Sequence, residues 1–405
     1  MMKAFGKLWL QGAKRLVKAQ QSQQKKLQKK LIKTLLIAPA KTAGKRVKRV
    51  VGAGQAAVAT RTSSATRIGR KPAARQIPVS ASAPSALSAG GNWTRSYYSS
   101  LEADRKMAPR RMTGWLFVPD VSTAVKRTSS GMPLVVMLHG CEQTAPDFAS
   151  GTRMNRLAVR HGFAVLYPQQ SASAHAQRCW PWYQRALQHG GHEVALVAGM
   201  IEKALARHGF DPSRVYVAGL SAGAAMAQTL ALRRPDLIAA VASHSGPVFG
   251  VADSRMSALT TMQQGARNPA QPILELQREM PYFPEMPVLI VQGAHDGLVR
   301  PINGRQLAEQ FRILNRLAQD ELQAPVERLA RGANDAFQIT DFRRGRQLLI
   351  RLCEVAHLGH AWSGGDPALR YNAARGPDAS VLLWNFFKRH RRIAQRSIDP
   401  PEKMQ

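Results

Sequence analysis

The sequence predicts an α/β chain: a mostly parallel sheet with helices on both faces, preceded by a basic tail. Short uninterrupted apolar runs, LVVML at 134–138, VYVA at 215–218 and VLIVQ at 288–292, alternate with stretches of helical periodicity. Strands that are apolar throughout belong to parallel sheets buried on both faces. At 405 residues the chain exceeds the roughly 250–300 at which a single core stops growing, so a segment outside the core is expected. Charge locates that segment. Lys and Arg number 58 against 25 Asp and Glu, and residues 1–101 hold 21 of the basic residues and no acid, Glu102 being the first. The remainder, with 37 basic and 25 acidic residues, is only moderately basic.

Within residues 1–37, Phe5, Leu8, Trp9 and Leu16, then Leu27, Leu31 and Leu35, recur at three- and four-residue spacings among lysines and glutamines. This spacing predicts a basic amphipathic helix, either a solvated tail or an anchor to an anionic or lipid-like interface. Residues 39–91, mainly Ala, Ser, Thr, Gly, Arg and Pro, offer too little apolar surface to offset ordering entropy and read as a linker. A tail and linker over 1–92 and a folded domain over 93–395 are therefore expected. In that domain the pattern predicts strands at 114–118, 133–138, 163–167, 215–218, 238–243, 288–292 and 348–356. Helices are predicted at 147–161, 192–208, 222–233, 303–318 and 380–390.

One junction carries chemistry. The strand at 215–218 runs into Gly219-Leu220-Ser221-Ala222-Gly223 and then into the small-residue helix from Ala222. A serine on a sharp strand-to-helix turn is presented at the sheet edge, and the flanking glycines leave room where strand and helix nearly touch. The strand ending at Leu138 leads to His139-Gly140-Cys141; the N–H groups of Cys141 and Ala222 are candidate oxyanion donors, while His139 reads as a packed turn histidine. Asp296 follows the strand ending at Gln292, where an orienting acid belongs. Near the C-terminus His357 and His360 compete as general base. His360, deeper in its loop and flanked by small residues, is preferred.

At these residues the chain resembles the poly(3-hydroxybutyrate) depolymerase family of esterases, which takes in related feruloyl and acetylxylan esterases. The matching pieces are LHGCEQ at 138–143, YPQQ at 167–170, QRCWPWY at 177–183, GLSAGAAM at 219–226, GAHDGLV at 293–299 and LGHAWSGG at 358–365. The resemblance implies an α/β-hydrolase fold, cofactor-free hydrolysis of carboxylic esters and a triad of Ser221, Asp296 and His360. It suggests poly- or oligo(3-hydroxybutyrate) as substrate, with aryl, acetylxylan-type or short-chain esters as alternatives. Trp180, Trp182 and Trp362 are candidates to line an acyl cleft, against ordinary loop packing. Cys141 and Cys179 fall within two of the motifs, and whether they form a bridge, which a reducing cytoplasm would disfavour, stays open.

Composition excludes several other classes. Three cysteines without close spacing make neither a disulfide scaffold nor a zinc knuckle, and no run approaches the roughly 18 apolar residues of a membrane span. Gly52-Ala53-Gly54 follows no buried strand and is no dinucleotide site. Lysines that break up the apolar residues at 3–18 leave no compact signal-peptide core. An intracellular enzyme acting at storage granules is therefore expected, secretion being the alternative. A reading of another class is a granule- or nucleic-acid-surface protein with an inactive hydrolase domain, but the tail lacks the aromatic interleaving of specific nucleic-acid binding.

Overall fold

The computed structural model describes residues 87–99, 111–120, 131–318, 327–329 and 336–393. The predicted basic helix over 1–37 lies outside them, as does the linker up to residue 86. The strands are β1 (Gly91–Ser99), β2 (Arg111–Pro119), β3 (Leu134–Leu138), β4 (Ala164–Gln169), β5 (Val215–Leu220), β6 (Ala240–His244), β7 (Val288–Gly293), β8 (Glu327–Leu329), β9 (Phe337–Arg344), β10 (Gln347–Val355), β11 (Trp362–Ser363) and β12 (Asn372–Ala373). The helices are α1 (Ala145–Thr152), α2 (Met154–His161), α3 (Arg185–Gln188), α4 (Glu193–His208), α5 (Ala222–Arg233), α6 (Arg255–Gln264), α7 (Gln271–Glu279), α8 (Ile302–Leu314) and α9 (Ala379–Phe387).

Ten strands form one sheet in the order β1-β2-β4-β3-β5-β6-β7-β10-β9-β8. The six from β4 to β10 run parallel, and antiparallel strands flank them at both edges. This is the α/β-hydrolase arrangement. Leu134–Leu138, Val215–Leu220 and Val288–Gly293 are buried at every position. Alternate side chains feed two cores: Val215 and Val217 join the layer under α4, α5 and α8, while Tyr216, Ala218 and Leu220 join that under α1, α2 and α9. Cross-strand register sets Leu138 beside Gly219, Gly219 beside Ser243, and Ser243 beside Ile290. The carboxyl ends of β3, β5, β6 and β7 therefore open onto one edge.

Three local differences from the sequence reading have physical causes. The single helix expected at 147–161 is two, because Arg153 takes a left-handed φ of 56°. The carbonyls of Gly151 and Thr152 there accept from Asp366 N and Ser380 Oγ instead of continuing the helix. The helix expected to reach 318 stops at Leu314, where Asn315 Nδ2 donates to the carbonyls of Met286 and Phe311. The fold also begins ahead of residue 93: β1 opens at Gly91, and Leu87 is already buried with its carbonyl accepting from Asn155 Nδ2.

Three histidines are packed as neutral rings. Burial lowers His139 and His390 to about 4 and His244 to about 3 from an ordinary 6.5. Nearby positive charge reinforces the shift at His390, as does the His360 ring at His244. His390 caps the far side of the sheet, where its carbonyl accepts from the Tyr216 hydroxyl at 2.8 Å.

Two predictions follow from this packing. An added Cβ at Gly223 would lie 2.2 Å from the Leu138 carbonyl oxygen and 2.4 Å from that of His139. Gly223→Ala should cost about 1–3 kcal/mol of stability in urea unfolding, and an unchanged midpoint would show that the strand and helix can separate freely. For the histidines, the unfolded chain takes up protons near pH 6.5 while the folded rings stay neutral to about 4. Stability they confer is full above pH 6.5 and is lost as pH falls toward 4. Urea midpoints measured from pH 8 to 4.5 should decline below pH 6.5; a flat profile would mean that the folded rings accept protons.

Candidate active site

Between β5 and α5 the chain turns sharply, and Ser221 takes φ 80° and ψ −115°, a region L-residues rarely adopt. The turn is tight because a Cβ on Gly219 would meet the Gly223 carbonyl at 2.2 Å. Ser221 N donates to the His244 carbonyl at the end of β6 (3.0 Å), which locks the turn to the next strand. The side chain is 9% exposed.

Three predicted residues form one hydrogen-bonded line. His360 Nε2 lies 2.9 Å from Ser221 Oγ, and its Nδ1 lies 2.8 Å from Asp296 Oδ2. Asp296 is buried just beyond β7, and its second oxygen accepts from the amides of Leu298 (3.0 Å) and Val299 (2.9 Å). The carboxylate is thereby fixed by backbone on one side and imidazole on the other. The two loops are laced together: Ala294 N donates to the Val355 carbonyl and His295 N to that of Leu358. His357 is exposed and packs against the exposed His295 with ring centroids 5.5 Å apart, so neither ring joins the line.

The turn after β3 presses against the start of α5, as the Gly223 contacts show. Ala222 is the first residue of α5, so its N–H lacks an intrahelical acceptor. Cys141 lies in the β3 turn and is disulfide-bonded to Cys179, which settles the bridge that the sequence left open. His139 is buried beneath this turn as expected. Its Nε2 accepts from Gln170 N, which leaves the Nδ1 proton for the Gly140 carbonyl.

The tryptophans take the loop-packing side of the two readings that the sequence left open. Trp180 and Trp362 are fully buried and Trp182 is 7% exposed, so they pack loops instead of lining an open cleft. Trp180 Nε1 donates to the His139 carbonyl, which draws the indole under the β3 turn, and Trp362 stacks on His244 at 5.0 Å. His244 is itself a residue the sequence reading passed over. Its Nε2 accepts from Ser363 N (3.2 Å), tying the strand that supports Ser221 to the loop that follows His360. No motif marks it, because its role exists only once β6 lies beside β5. Among the described residues no group of three or more His, Cys, Asp or Glu side chains is placed to hold a metal ion. No described helix is long and apolar enough to cross a membrane.

Comparison with known proteins places the chain among esterases. The family described as Esterase PHB depolymerase matches residues 116–327, just over half of the chain. Poly(3-hydroxyalkanoate) depolymerase C of Paucimonas lemoignei is 37% identical over 195 residues, 46% of this chain and 47% of the relative. Feruloyl esterase B of Thermothelomyces thermophilus is 31% identical over 213 residues, 50% of this chain and 70% of the relative. The chain thus spans less than half the length of the depolymerase it matches. Among solved structures, the acetyl xylan esterase from Aspergillus awamori superposes with a TM-score of 0.53 at 21% identity, over 65% of this chain and 94% of that one, a likeness of fold. The chain belongs to the Esterase PHB depolymerase family.

Proposed function

We propose that this protein is a serine esterase that hydrolyses carboxylic esters, poly- or oligo(3-hydroxybutyrate) first among them, with Ser221 as nucleophile, His360 as general base and Asp296 as the orienting acid. The observation that carries the reading is the continuous line from Ser221 Oγ through His360 to a buried Asp296. A strained serine aimed at an imidazole nitrogen, itself held by a carboxylate, is the arrangement acyl transfer requires. His360 takes the serine proton as Oγ attacks the ester carbonyl. The amides of Cys141 and Ala222 then receive the developing oxyanion. His360 returns the proton to the leaving alcohol, and water repeats the sequence on the acyl-enzyme with no cofactor.

Substrate choice falls to the segment between β6 and β7; the open cavity of about 720 Å³ between α6 and α7 is lined by none of Ser221, Asp296 and His360 and is not the site of reaction. A feruloyl- or acetylxylan-type substrate is the second reading, favoured by the relatives of those names. Hydrolysis rates on hydroxybutyrate oligomers, native polymer granules and feruloyl esters separate the two. Preference for the feruloyl ester would overturn the first. The basic tail supplies attachment to an anionic or granule surface, through lysine charge and buried apolar area.

Ser221→Ala should abolish hydrolysis of p-nitrophenyl butyrate with an unchanged unfolding midpoint; activity within tenfold of wild type would refute the nucleophile. His360→Ala should lower turnover by at least a hundredfold and His357→Ala by less than threefold, and the reverse ranking would reassign the base. Deleting residues 1–80 should leave soluble-ester turnover nearly unchanged while binding to anionic vesicles or granules falls. Binding of the full chain should weaken as salt rises toward 0.15 M, where the Debye length is about 8 Å. Loss of soluble-ester turnover on deletion would make the tail part of the catalytic domain.

A further inference from the structure

The turn that bears Cys141 is gripped from two sides. On one side stands the segment 170–180: Glu142 N donates to the Gln177 carbonyl (2.7 Å), Trp180 Nε1 to the His139 carbonyl (2.9 Å), and Cys179 is bonded to Cys141. The other side is the stretch leading into β12. There the Tyr371 hydroxyl donates to Glu142 Oε2 at 2.8 Å, Gln143 Nε2 donates to the Arg370 carbonyl at 3.3 Å, and the Arg370 guanidinium lies 3.6 Å from the same Glu142 oxygen. Gln143 closes the turn on itself by accepting from Gly140 N at 2.9 Å.

Glu142 directly follows Cys141, and its side chain is only 11% exposed. It takes a left-handed φ of 62°, and Tyr371, its hydrogen-bond partner, takes 60°. Neither is a glycine. Backbone held in a sparsely populated region persists only where surrounding contacts over-determine it, and such strain concentrates at functional sites. Here the bond between the two strained residues joins the backbone contacts of each, Glu142 N to the Gln177 carbonyl and Trp362 N to the Tyr371 carbonyl. Tyr371 also belongs to the loop of the proposed base, since its carbonyl accepts from Trp362 N, two residues beyond His360. Burial and the hydrogen bond to Glu142 raise the Tyr371 hydroxyl above its ordinary range, so it remains a donor at working pH.

We propose that Tyr371 and Glu142 are positioning residues: their hydrogen bond joins the loop of His360 to the turn after β3 and holds the Cys141 amide where the oxyanion forms. This inference rests on the esterase reading above. An amide aimed by its neighbour serves the charge that develops in the transition state more than the neutral ester carbonyl, so the clamp bears on kcat and leaves KM alone.

The test is steady-state kinetics on p-nitrophenyl butyrate with the full chain. Tyr371→Phe, which removes one oxygen and keeps the ring, should lower kcat at least tenfold with KM within twofold and the unfolding midpoint within two degrees. Affinity for phenylboronic acid, which adds to the serine as a tetrahedral anion, should fall by a similar factor. Glu142→Ala should lose as much, and Glu142→Gln, which retains an acceptor, should restore most of that loss. The double variant Glu142→Ala, Tyr371→Phe should be no slower than either single one. A kcat for Tyr371→Phe within twofold of wild type, a loss shared equally by kcat and KM, or additive losses in the double variant would each overturn the clamp. Failure of the underlying reading looks different: wild type would not hydrolyse the ester, or Ser221→Ala would hydrolyse it as fast.

Discussion

Where β5 meets α5 there is no space for a side chain at Gly219 or at Gly223. The Gly219 position faces the Gly223 carbonyl, and Gly223 faces the carbonyls of Leu138 and His139, so that a Cβ at either would lie 2.2–2.4 Å from a carbonyl oxygen, far inside van der Waals contact. That steric constraint sets the rest. With no bulk between them, the first turn of α5 sits directly on the end of β3, Ser221 is driven into a strained conformation, and the amide of Ala222 shares its surroundings with the turn bearing Cys141. The strain is held by a hydrogen bond to β6 and by the close packing of α5, whose residues from Ala222 to Leu232 are all buried.

The site's polar groups are fixed mainly by backbone. Asp296 is oriented by two amides, His139 by an amide and a carbonyl, and His244 accepts from the amide of Ser363. Groups satisfied in this way need no reorganisation when charge develops, which is the physical meaning of a preorganised site. Of the rings lowered by burial, His139 remains an uncharged support beneath the β3 turn and His244 one beside His360.

Much of this was legible in the sequence because it is local. Continuous apolar runs identified β3, β5 and β7, and Ala222–Arg233 was bounded correctly as a helix because small residues follow a glycine-flanked serine there. Of the four antiparallel strands at the edges, β2 was legible at 114–118, and β1, β8 and β9 were not. β9, FQITDFRR, carries Asp341 and two arginines, and its polarity is reconciled with a strand only by the pairing of Asp341 with Arg351 on β10 and with Arg343 (2.6 and 3.0 Å). Of the two helices between β6 and β7, α6 has no periodic apolar stripe, and α7 carries one, buried at Ile273 and Leu276, over only nine residues. His244, Glu142 and Tyr371 escaped for a different reason: His244 Nε2 finds its partner, Ser363, 119 residues away, and Glu142 and Tyr371 are 229 apart, a relation that no spacing within one segment encodes.

The bridge between Cys141 and Cys179 closes a ring of 38 residues that contains α1, α2 and all of β4. A cross-link of that span removes loop freedom from the unfolded chain, by the chain-entropy account about 4 kcal/mol. The stabilisation therefore acts on the unfolded ensemble, and its benefit is delivered to the β3–β4 pair, the fourth and third strands of ten from the β1 edge. The turn beside Ser221 is then the knot of the ring. Thermal agitation that would open it must act against a segment of chain that has nowhere further to go, so the least regular part of the site inherits its rigidity from a covalent constraint on the sheet beneath it.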